Sequence, residues 1–110
     1  MRRGDLVTHT GPGEYGKKPR PALVVQSDRL LELDSVLLCL LTSEDDTAPG
    51  LNRVPINPTS ANGLQRPSQI MAEKLMSARR TKCGKVIGHL GPEVMDEVDA
   101  ALALVLGLAD

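Results

Sequence analysis

The sequence predicts a small, partly open β-barrel, mainly β in content, with one α-helix packed on it. Five or six short apolar runs are separated by turn residues, which is typical of short strands in an all-β arrangement. The C-terminal segment instead repeats its apolar residues at helical spacing. A chain of 110 residues has the length of one domain, so we expect residues 1–110 to form a single domain.

Three strands are predicted in the first half of the chain. GDLVTH is the first, and the loop THTGPGEYGKKPRP follows it, rich in Gly and Pro and without periodicity. The β-branched run PALVVQS is typical of a buried strand, with Pro21 at its first residue, where a proline is tolerated. DSVLLCLLTS fits a helix or a strand by pattern. Its early end at EDDTAPG favours a strand.

Three further strands are predicted in the second half. NRVPINP carries two prolines, which favours an edge strand, and a turn follows at Asn62 to Leu64. SQIMAEKLMSA alternates, so it predicts a strand with two distinct sides, and KVIGHL is a short final strand. One side of SQIMAEKLMSA would carry Ile70, Ala72, Lys74 and Met76, and the other Gln69, Met71, Glu73, Leu75 and Ser77.

An amphipathic helix is predicted at the C-terminus. Gly91-Pro92-Glu93 begins it, because proline is favoured in a first helical turn and acids stabilise the N-terminus. Acidic residues lie largely outside its apolar stripe. The stripe that we expect to pack on the sheet consists of Val94, Met95, Val98, Ala101, Leu102 and Val105.

Composition indicates which side chains fill the core and in which cellular compartment the protein is expected. The chain has no Phe, no Trp and one Tyr, so aliphatic side chains must fill the core. Cys39 and Cys83 lie far apart and have no Cys or His at metal spacing, so we expect reduced thiols in a cytoplasmic protein. No signal peptide and no membrane-spanning apolar run is apparent.

Charge is distributed unevenly although its sum is only −1. Residues 1–20 carry five basic and two acidic groups, and residues 61–90 carry six and one. Residues 21–60 carry two basic and six acidic groups, and residues 91–110 carry five acidic groups alone. The two positive segments either merge into one basic face that attracts an anion or form ordinary solvated surface.

Arg20 is the first candidate functional residue, because it joins a Gly-rich loop to a buried strand. A guanidinium held there by the sheet suits bidentate contact with a phosphate, or else forms a surface ion pair. Thr42 and Ser43 end the third strand, where hydroxyls either bind a ligand oxygen or cap the next turn. Glu73 is either a solvated carboxylate or a base in a cleft.

Familiar catalytic motifs are absent from the sequence. His9 and His89 are isolated, which is more typical of structural or surface histidines. The sequence contains no P-loop, dinucleotide fingerprint, HExxH or Ser-His-Asp pattern, so no metal or other cofactor is predicted.

Six segments, taken in chain order, carry a resemblance to known proteins. They are RRGDLVT, GEYGKKPRPALVVQSD, CLLTS, NGLQRPSQIMAEKLMSARR, KVIGHL and the acidic helix that ends LALVLGL. Together they resemble one family, the MazF/PemK toxin endoribonucleases. The resemblance covers nearly the whole chain. It implies the SH3-like barrel shared by MazF, PemK/Kid and CcdB toxins, with a C-terminal helix and a homodimer. It also implies metal-independent, sequence-specific cleavage of single-stranded RNA, restrained by a cognate antitoxin protein.

Site residues follow from the resemblance position by position. The arginine before PALVV is Arg20, the threonine ending the third strand is Thr42, and the acidic residue is Glu73. In the implied mechanism, Arg20 stabilises the phosphate charge, Thr42 donates a hydrogen bond and Glu73 takes the proton of the attacking 2′-hydroxyl. Further candidate contacts to the substrate are Tyr15, Lys18, Ser43, Gln69 and Ser77.

Two differences and two alternative functions accompany the resemblance. The Kid-type toxin has a second arginine where this chain has Met71, and its loop histidine is missing from Gly13-Glu14-Tyr15. A gyrase-poisoning toxin like CcdB shares the fold but relies on a C-terminal Trp-Gly-Ile that this chain lacks. A degenerate member that binds only RNA or an antitoxin-like peptide is the other alternative, although Arg20, Thr42 and Glu73 are all present.

Overall fold

The computed structural model describes residues 1–10, 18–43 and 48–110. In these residues every predicted strand and the predicted helix are present, together with the one-turn 3-10 helices Asp28–Leu30 and Arg80–Lys82. DSVLLCLLTS is a strand, as its early termination suggested. The strands are β1 (Asp5–His9), β2 (Arg20–Val24), β3 (Ser35–Thr42), β4 (Arg53–Ile56), β5 (Ser68–Arg79) and β6 (Cys83–His89), and the helix is α1 (Pro92–Val105).

The described strands form one antiparallel sheet in the order β4-β5-β3-β2-β1-β6. β4 and β6 are its two edges and do not pair with each other, so the curved sheet is not closed. The predicted edge position of β4 is confirmed. Pro55 lies in the middle of that strand, and proline cannot donate a ladder hydrogen bond, which confines it to an edge.

A tight turn after β4 packs against β6, where the His89 backbone nitrogen donates to the Ala61 carbonyl oxygen at 2.9 Å. The buried Asn62 holds its shape, since Oδ1 accepts from the backbone nitrogens of Thr59 and Leu64, each at 3.0 Å. Gly63 has φ +70°, and a Cβ there would lie 2.1 Å from the Ile87 carbonyl oxygen. The turn therefore packs backbone against backbone on β6, which only glycine permits.

Each side of the sheet carries its own aliphatic cluster, because successive residues of a strand point to opposite faces. In β2, for example, Leu23 belongs to one cluster and Val24 to the other. The first cluster joins the sheet to α1 and includes Leu6, Leu23, Cys39, Leu41, Val54, Ile70, Met95, Val98 and Ala101. The second cluster consists of Val7, Ala22, Val24, Val36, Leu38, Leu40, Met71 and Ala78.

The continuous alternation predicted for β5 is wrong. Between the pairs Leu41–Ile70 and Cys39–Leu75, β3 advances by two residues while β5 advances by five. These extra residues break the ladder and exchange the faces of the strand, as a β-bulge does. Ile70 therefore packs in the first cluster while Met76, predicted on the same side, packs against the second.

Helix α1 begins at Pro92, as predicted, and packs on the sheet through Met95, Val98 and Ala101. Val94 and Leu102 are partly buried against the same cluster. Val105 was predicted in the stripe but is 37% exposed. The last helical turn thus lies beyond the first cluster, which is why helical spacing alone overestimated the buried stripe.

Both cysteines are free thiols, as predicted, with Cys39 buried and Cys83 half-buried. Burial, with a contribution from the nearby charge of Glu73, raises the pKa of the Cys39 thiol to about 12. Cys39 is therefore an inert component of the core. Among the helices of residues 1–10, 18–43 and 48–110, none is long and apolar enough to cross a membrane.

Candidate functional site

Four polar side chains form a row across neighbouring strands at one end of the sheet. His9 of β1 pairs with Arg20 of β2, and Thr42 of β3 pairs with Gln69 of β5. The pairing of β2 with β3 ends at Ala22 and Leu40, and Arg20 and Thr42 lie two residues beyond that pair, at the adjoining ends of the two strands. Directly opposed residues share a face and lie about 5 Å apart between Cβ atoms. We call His9, Arg20, Thr42 and Gln69 the polar row.

The polar row lies on the same face of the sheet as the second cluster and continues it to the strand ends. Arg20 follows Ala22 and Val24 in the alternation of β2, and Thr42 follows Leu40 in that of β3. The Arg20 Nε atom is itself buried, so the guanidinium is held at its root by the sheet. A cation and a hydroxyl are thereby presented together at adjacent strand ends.

His9 and Gln69 are the most buried members of the row, at 4% and 8% exposure. Burial lowers the pKa of His9 from its ordinary value of 6.5, so its imidazole is neutral at pH 7. His9 therefore lies beside Arg20 without adding a competing positive charge. The isolated position of this histidine in the sequence contained no signal that it would lie next to Arg20.

A pocket of about 730 Å³ opens beside Arg20. Four cations from the two positive segments of the sequence line it, namely Lys18, Arg20, Arg66 and Lys85. Among the described residues of its lining there is no carboxylate, so its field is positive. We call it the cationic pocket. The other lining residues are Pro19, Pro21, Ser43, Gly63, Leu64, Gln65, Ser68, Val86 and Ile87.

A smaller pocket of about 140 Å³ lies beside the other end of the row. Ser43 and Ser68 line both pockets, so the two are adjacent. All of its described lining residues are uncharged, and we call it the neutral pocket. They are Thr42, Ser43, Pro55, Ile56, Asn57, Pro67, Ser68 and Gln69.

Glu73 lines neither pocket but is held by two residues at the β4 edge. Arg53 donates to Glu73 Oε2 from Nε at 3.0 Å and from Nη2 at 2.8 Å, and Asn52 Nδ2 donates to Oε1 at 2.9 Å. Burial by itself raises the pKa of Glu73. The hydrogen bonds from Arg53, from the backbone and from Asn52, with the charge of Arg53, outweigh burial and lower the pKa. Glu73 is therefore an ionised carboxylate at neutral pH.

The predicted substrate contacts are distributed unequally. Lys18 and Ser43 line the cationic pocket, and Gln69 lines the neutral one. Ser77 lies opposite Leu37, eight residues along β5 from Gln69, and lines neither pocket. Tyr15 lies outside the described residues.

Sequence reasoning missed Arg53, Arg66, Ser68 and Lys85. Arg66 and Lys85 belong to the positive segment 61–90, so charge counting was the signal that pointed toward them. Charge counting did not point to Arg53, because the segment 21–60 is acidic in sum. Arg53 comes close to Glu73 and Gln69 only because β4 pairs with β5. Among the described residues, no group of three or more His, Cys, Asp or Glu side chains is arranged to hold a metal ion.

Comparison with known proteins finds relatives along nearly the whole chain. The family model of the PemK-like, MazF-like toxin of type II toxin–antitoxin systems matches residues 2–106. The chain is 39% identical over 109 residues to a probable endoribonuclease MazF of Mycolicibacterium smegmatis, covering 99% of both chains. It is 30% identical over 114 residues to endoribonuclease EndoA of Bacillus subtilis, covering 100% of this chain and 97% of the relative.

Solved structures resemble the fold over almost the whole chain. An endoribonuclease in complex with its cognate antitoxin from a mycobacterial species superimposes with a TM-score of 0.80 at 23% identity, covering 98% of this chain and 96% of the other. A MazE–MazF structure from Deinococcus radiodurans superimposes with a TM-score of 0.75 at 22% identity, covering 97% and 95%. The predicted barrel type is confirmed by these likenesses.

Proposed function

Because this chain belongs to the PemK-like, MazF-like toxin family of type II toxin–antitoxin systems, we propose that it is an endoribonuclease whose activity a cognate antitoxin restrains. Relatives at 39% and 30% identity are both named endoribonucleases, and they are matched over nearly their full length. The observation that carries the proposal is the placement of Arg20 and Thr42 at the adjoining ends of β2 and β3, beside the cationic pocket. A gyrase-poisoning function is not favoured by these relatives.

The substrate that suits the cationic pocket is single-stranded RNA. Lys18, Arg20, Arg66 and Lys85 are spaced around an open cleft, as needed to follow consecutive phosphates of a backbone. Single-stranded RNA also lets the ribose and phosphate rotate into the in-line geometry that a stacked A-form helix resists. For cleavage to be sequence-specific, surfaces next to the cationic pocket must bind the bases that flank the cleaved phosphate.

RNA supplies its own nucleophile, so the chemistry needs no external reactant to break the chain. The 2′-oxygen attacks the adjacent phosphorus as it loses its proton, and the bond from phosphorus to the 5′-oxygen breaks. The products are a 2′,3′-cyclic phosphate and a 5′-hydroxyl, which receives one proton. Arg20 would neutralise the charge that accumulates on the phosphate oxygens, and the Thr42 hydroxyl would donate to the same oxygens.

The proposal also needs a general base that accepts the proton of the 2′-hydroxyl. Glu73 keeps its predicted role as the acceptor of the 2′-hydroxyl proton only if substrate binding brings the ribose to the β4 edge, where Arg53 and Asn52 hold the carboxylate. Its lowered pKa leaves it ionised and able to accept a proton, although a weakly basic carboxylate is not ideal at pH 7. A guanidinium does not give up a proton readily at neutral pH, so Arg20 acts through its charge.

The proposed partners are an antitoxin and a second copy of the chain in the cytoplasm. An acidic antitoxin segment would compete with RNA for the cationic pocket, because both present negative charge to the same four cations. Homodimer formation is supported by large apolar side chains that stay exposed in the single chain, among them Leu30, Leu31, Leu33 and Leu37.

One experiment tests the proposed activity directly. The purified chain is incubated with a long single-stranded RNA in the presence of EDTA, and the ends of the fragments are mapped. We expect cuts at a recurring short sequence, each leaving a 2′,3′-cyclic phosphate and a 5′-hydroxyl. Intact RNA, or cleavage only after a divalent metal is supplied, would contradict the proposal.

A further inference from the structure

Arg53 connects the Glu73 carboxylate to the polar row. Its Nε and Nη2 atoms donate to Glu73 Oε2 at 3.0 and 2.8 Å, and its Nη1 atom donates to Gln69 Oε1 at 3.3 Å. Gln69 is the partner of Thr42 in the ladder between β3 and β5. Glu73 lines neither pocket, but only a single guanidinium separates its carboxylate from a member of the polar row.

The ladder between β4 and β5 explains how Arg53 reaches both partners. Arg53 lies directly opposite Met71. Gln69 and Glu73 stand two residues before and two residues after Met71 on β5. A long side chain reaches the residues diagonal to it across a ladder, and Met71 offers the guanidinium only a weak thioether acceptor. The guanidinium therefore bonds to Gln69 and Glu73, on either side of the residue that it opposes.

These contacts fix the orientation of the Glu73 carboxylate. Two donors of one planar guanidinium meet at Oε2, and Asn52 Nδ2 donates to Oε1 at 2.9 Å, so both oxygens are held from the β4 side. The Arg53 and Glu73 side chains are only 21% and 29% exposed. Partial burial shields the pair from water and salt, so the contact persists better than a fully exposed ion pair.

Arg53 is also the charge that keeps Glu73 ionised. Burial by itself raises the pKa of Glu73, and the hydrogen bonds and charge of Arg53 are the main influences that lower it. Cys39 of β3 is electrostatically coupled to Glu73 but stays a protonated thiol. Among the residues that the structure describes, no other charge shifts this pKa. The charged residues without such an effect include the neighbouring Lys74 and, on helix α1, which contacts β5, Glu93, Asp96, Glu97 and Asp99.

Bound RNA would act on this carboxylate in the opposite direction. A phosphate held by Arg20 and Thr42 brings negative charge toward the polar row, and a nearby like charge raises the pKa of a carboxyl group. The two anions also repel each other. Arg53 bonds to Glu73 on the side that faces the polar row, so its positive charge offsets both effects.

We propose that Arg53 is a positioning residue for RNA cleavage, which holds the Glu73 carboxylate in one orientation beside the polar row and offsets the negative charge of the bound substrate. This inference rests on the proposed ribonuclease function, with Glu73 as the base. Arg53 lines neither pocket, so it acts through Glu73. It therefore controls turnover and the pH dependence of turnover, while the cations of the cationic pocket provide the affinity for RNA.

The pH dependence of cleavage of a single-stranded RNA tests this role. A base must be ionised to accept a proton, so kcat falls at low pH as Glu73 becomes protonated. In Arg53→Met, nothing offsets the burial of Glu73 as strongly, so this fall should occur at higher pH than in wild type. We also expect kcat at pH 7 to fall by about tenfold or more, the scale of a lost charge-assisted hydrogen bond, while KM stays close to that of wild type.

Three further variants define the mechanism of the effect. Arg53→Lys keeps the charge but lacks the planar fork, so its low-pH fall should lie between those of wild type and Arg53→Met. If circular dichroism shows that Arg53→Met does not fold, the lysine variant decides, since its fall should still lie above that of wild type. Adding Arg53→Met to Glu73→Gln should slow cleavage no further, because both changes act through one carboxylate. Arg79→Met removes a charge from the exposed end of β5 and should keep the wild-type profile.

The outcomes separate this inference from the proposed function. Intact RNA with wild type contradicts the function, and wild-type rates with Glu73→Gln contradict its base, so in either case the inference fails as well. If Glu73→Gln is slow but Arg53→Met keeps the wild-type pH profile, the inference alone is wrong. An additive double variant, or a rise in KM with unchanged kcat in Arg53→Met, would likewise show that Arg53 does not act through Glu73.

Discussion

Arg20 begins β2 and Thr42 ends β3, and each lies two residues beyond the paired residues Ala22 and Leu40. The pair behind them, Ala22 and Leu40, is buried in the second cluster, at 0% and 8% exposure. Both candidate side chains are therefore at strand ends that the sheet fixes, although each adjoins a loop. Such placement orders donors before the substrate arrives, which is the condition under which they stabilise a transition state most.

Replacing Arg20 tests the central cation. We expect Arg20→Ala to lower kcat/KM for RNA cleavage by at least about 10²-fold, the scale for one preorganised donor. Arg20→Lys keeps the charge but loses the planar fork, so it should recover only part of the loss. Arg29→Ala, at an exposed site on a 3-10 helix, serves as the matched control. Near-normal cleavage by folded Arg20→Ala protein would remove this residue from the mechanism.

Replacing Thr42 tests the hydroxyl. Thr42→Val preserves the shape and the β-branched character of the side chain, so the strand should remain intact. Loss of one hydrogen bond to the phosphate oxygens should reduce single-turnover cleavage by roughly tenfold. Thr42→Ser should retain most of the activity. Equal rates for the valine variant and wild type would show that the hydroxyl does not contact the reacting group.

The cationic pocket should make RNA affinity strongly dependent on salt. Each neutralised phosphate of a single strand contributes a slope of about −0.7 in log K against log salt. Lys85→Ala and Arg66→Ala should each make the slope shallower by roughly 0.7. Fluorescence anisotropy with a labelled DNA oligonucleotide measures this without cleavage, since DNA lacks the 2′-hydroxyl. Lys82→Ala, which does not line the pocket, should keep the wild-type slope, and a uniform change in all three variants would contradict a localised site.

The Glu73–Arg53 pair should contribute to stability in a pH-dependent way. The pKa of Glu73 is lowered on folding from its ordinary value of 4.5, so the folded state favours the ionised form. Its contribution is present above that value and is lost as the pH falls through the lower, folded value. Urea unfolding of wild type and Glu73→Gln should differ most near pH 7 and converge in acid. A difference that persists unchanged below pH 3 would show that the charge is not its cause.

Local patterns in the sequence were sufficient for the strands, the helix and the edge position of β4. Pro55 predicted the edge strand, Pro92 the start of the helix, and the short β-branched runs the strands. These patterns could not predict the break in β5, because it is an irregularity in the pairing of β5 with β3, between Ile70 and Leu75. Val105 likewise fits the stripe by spacing, and only the extent of the sheet beneath the helix decides its exposure.

By itself, the sequence determined the fold class and the family and proposed Arg20 and Thr42 as site residues, since these depend on local pattern and residue order. Only the tertiary structure decided which distant side chains are neighbours. It placed His9 and Gln69 in the polar row and Arg66 and Lys85 around one pocket. It also brought Arg53 within hydrogen-bonding distance of Glu73. The physical reason is that a site is built across strands, by register and curvature, and those are properties of the whole sheet.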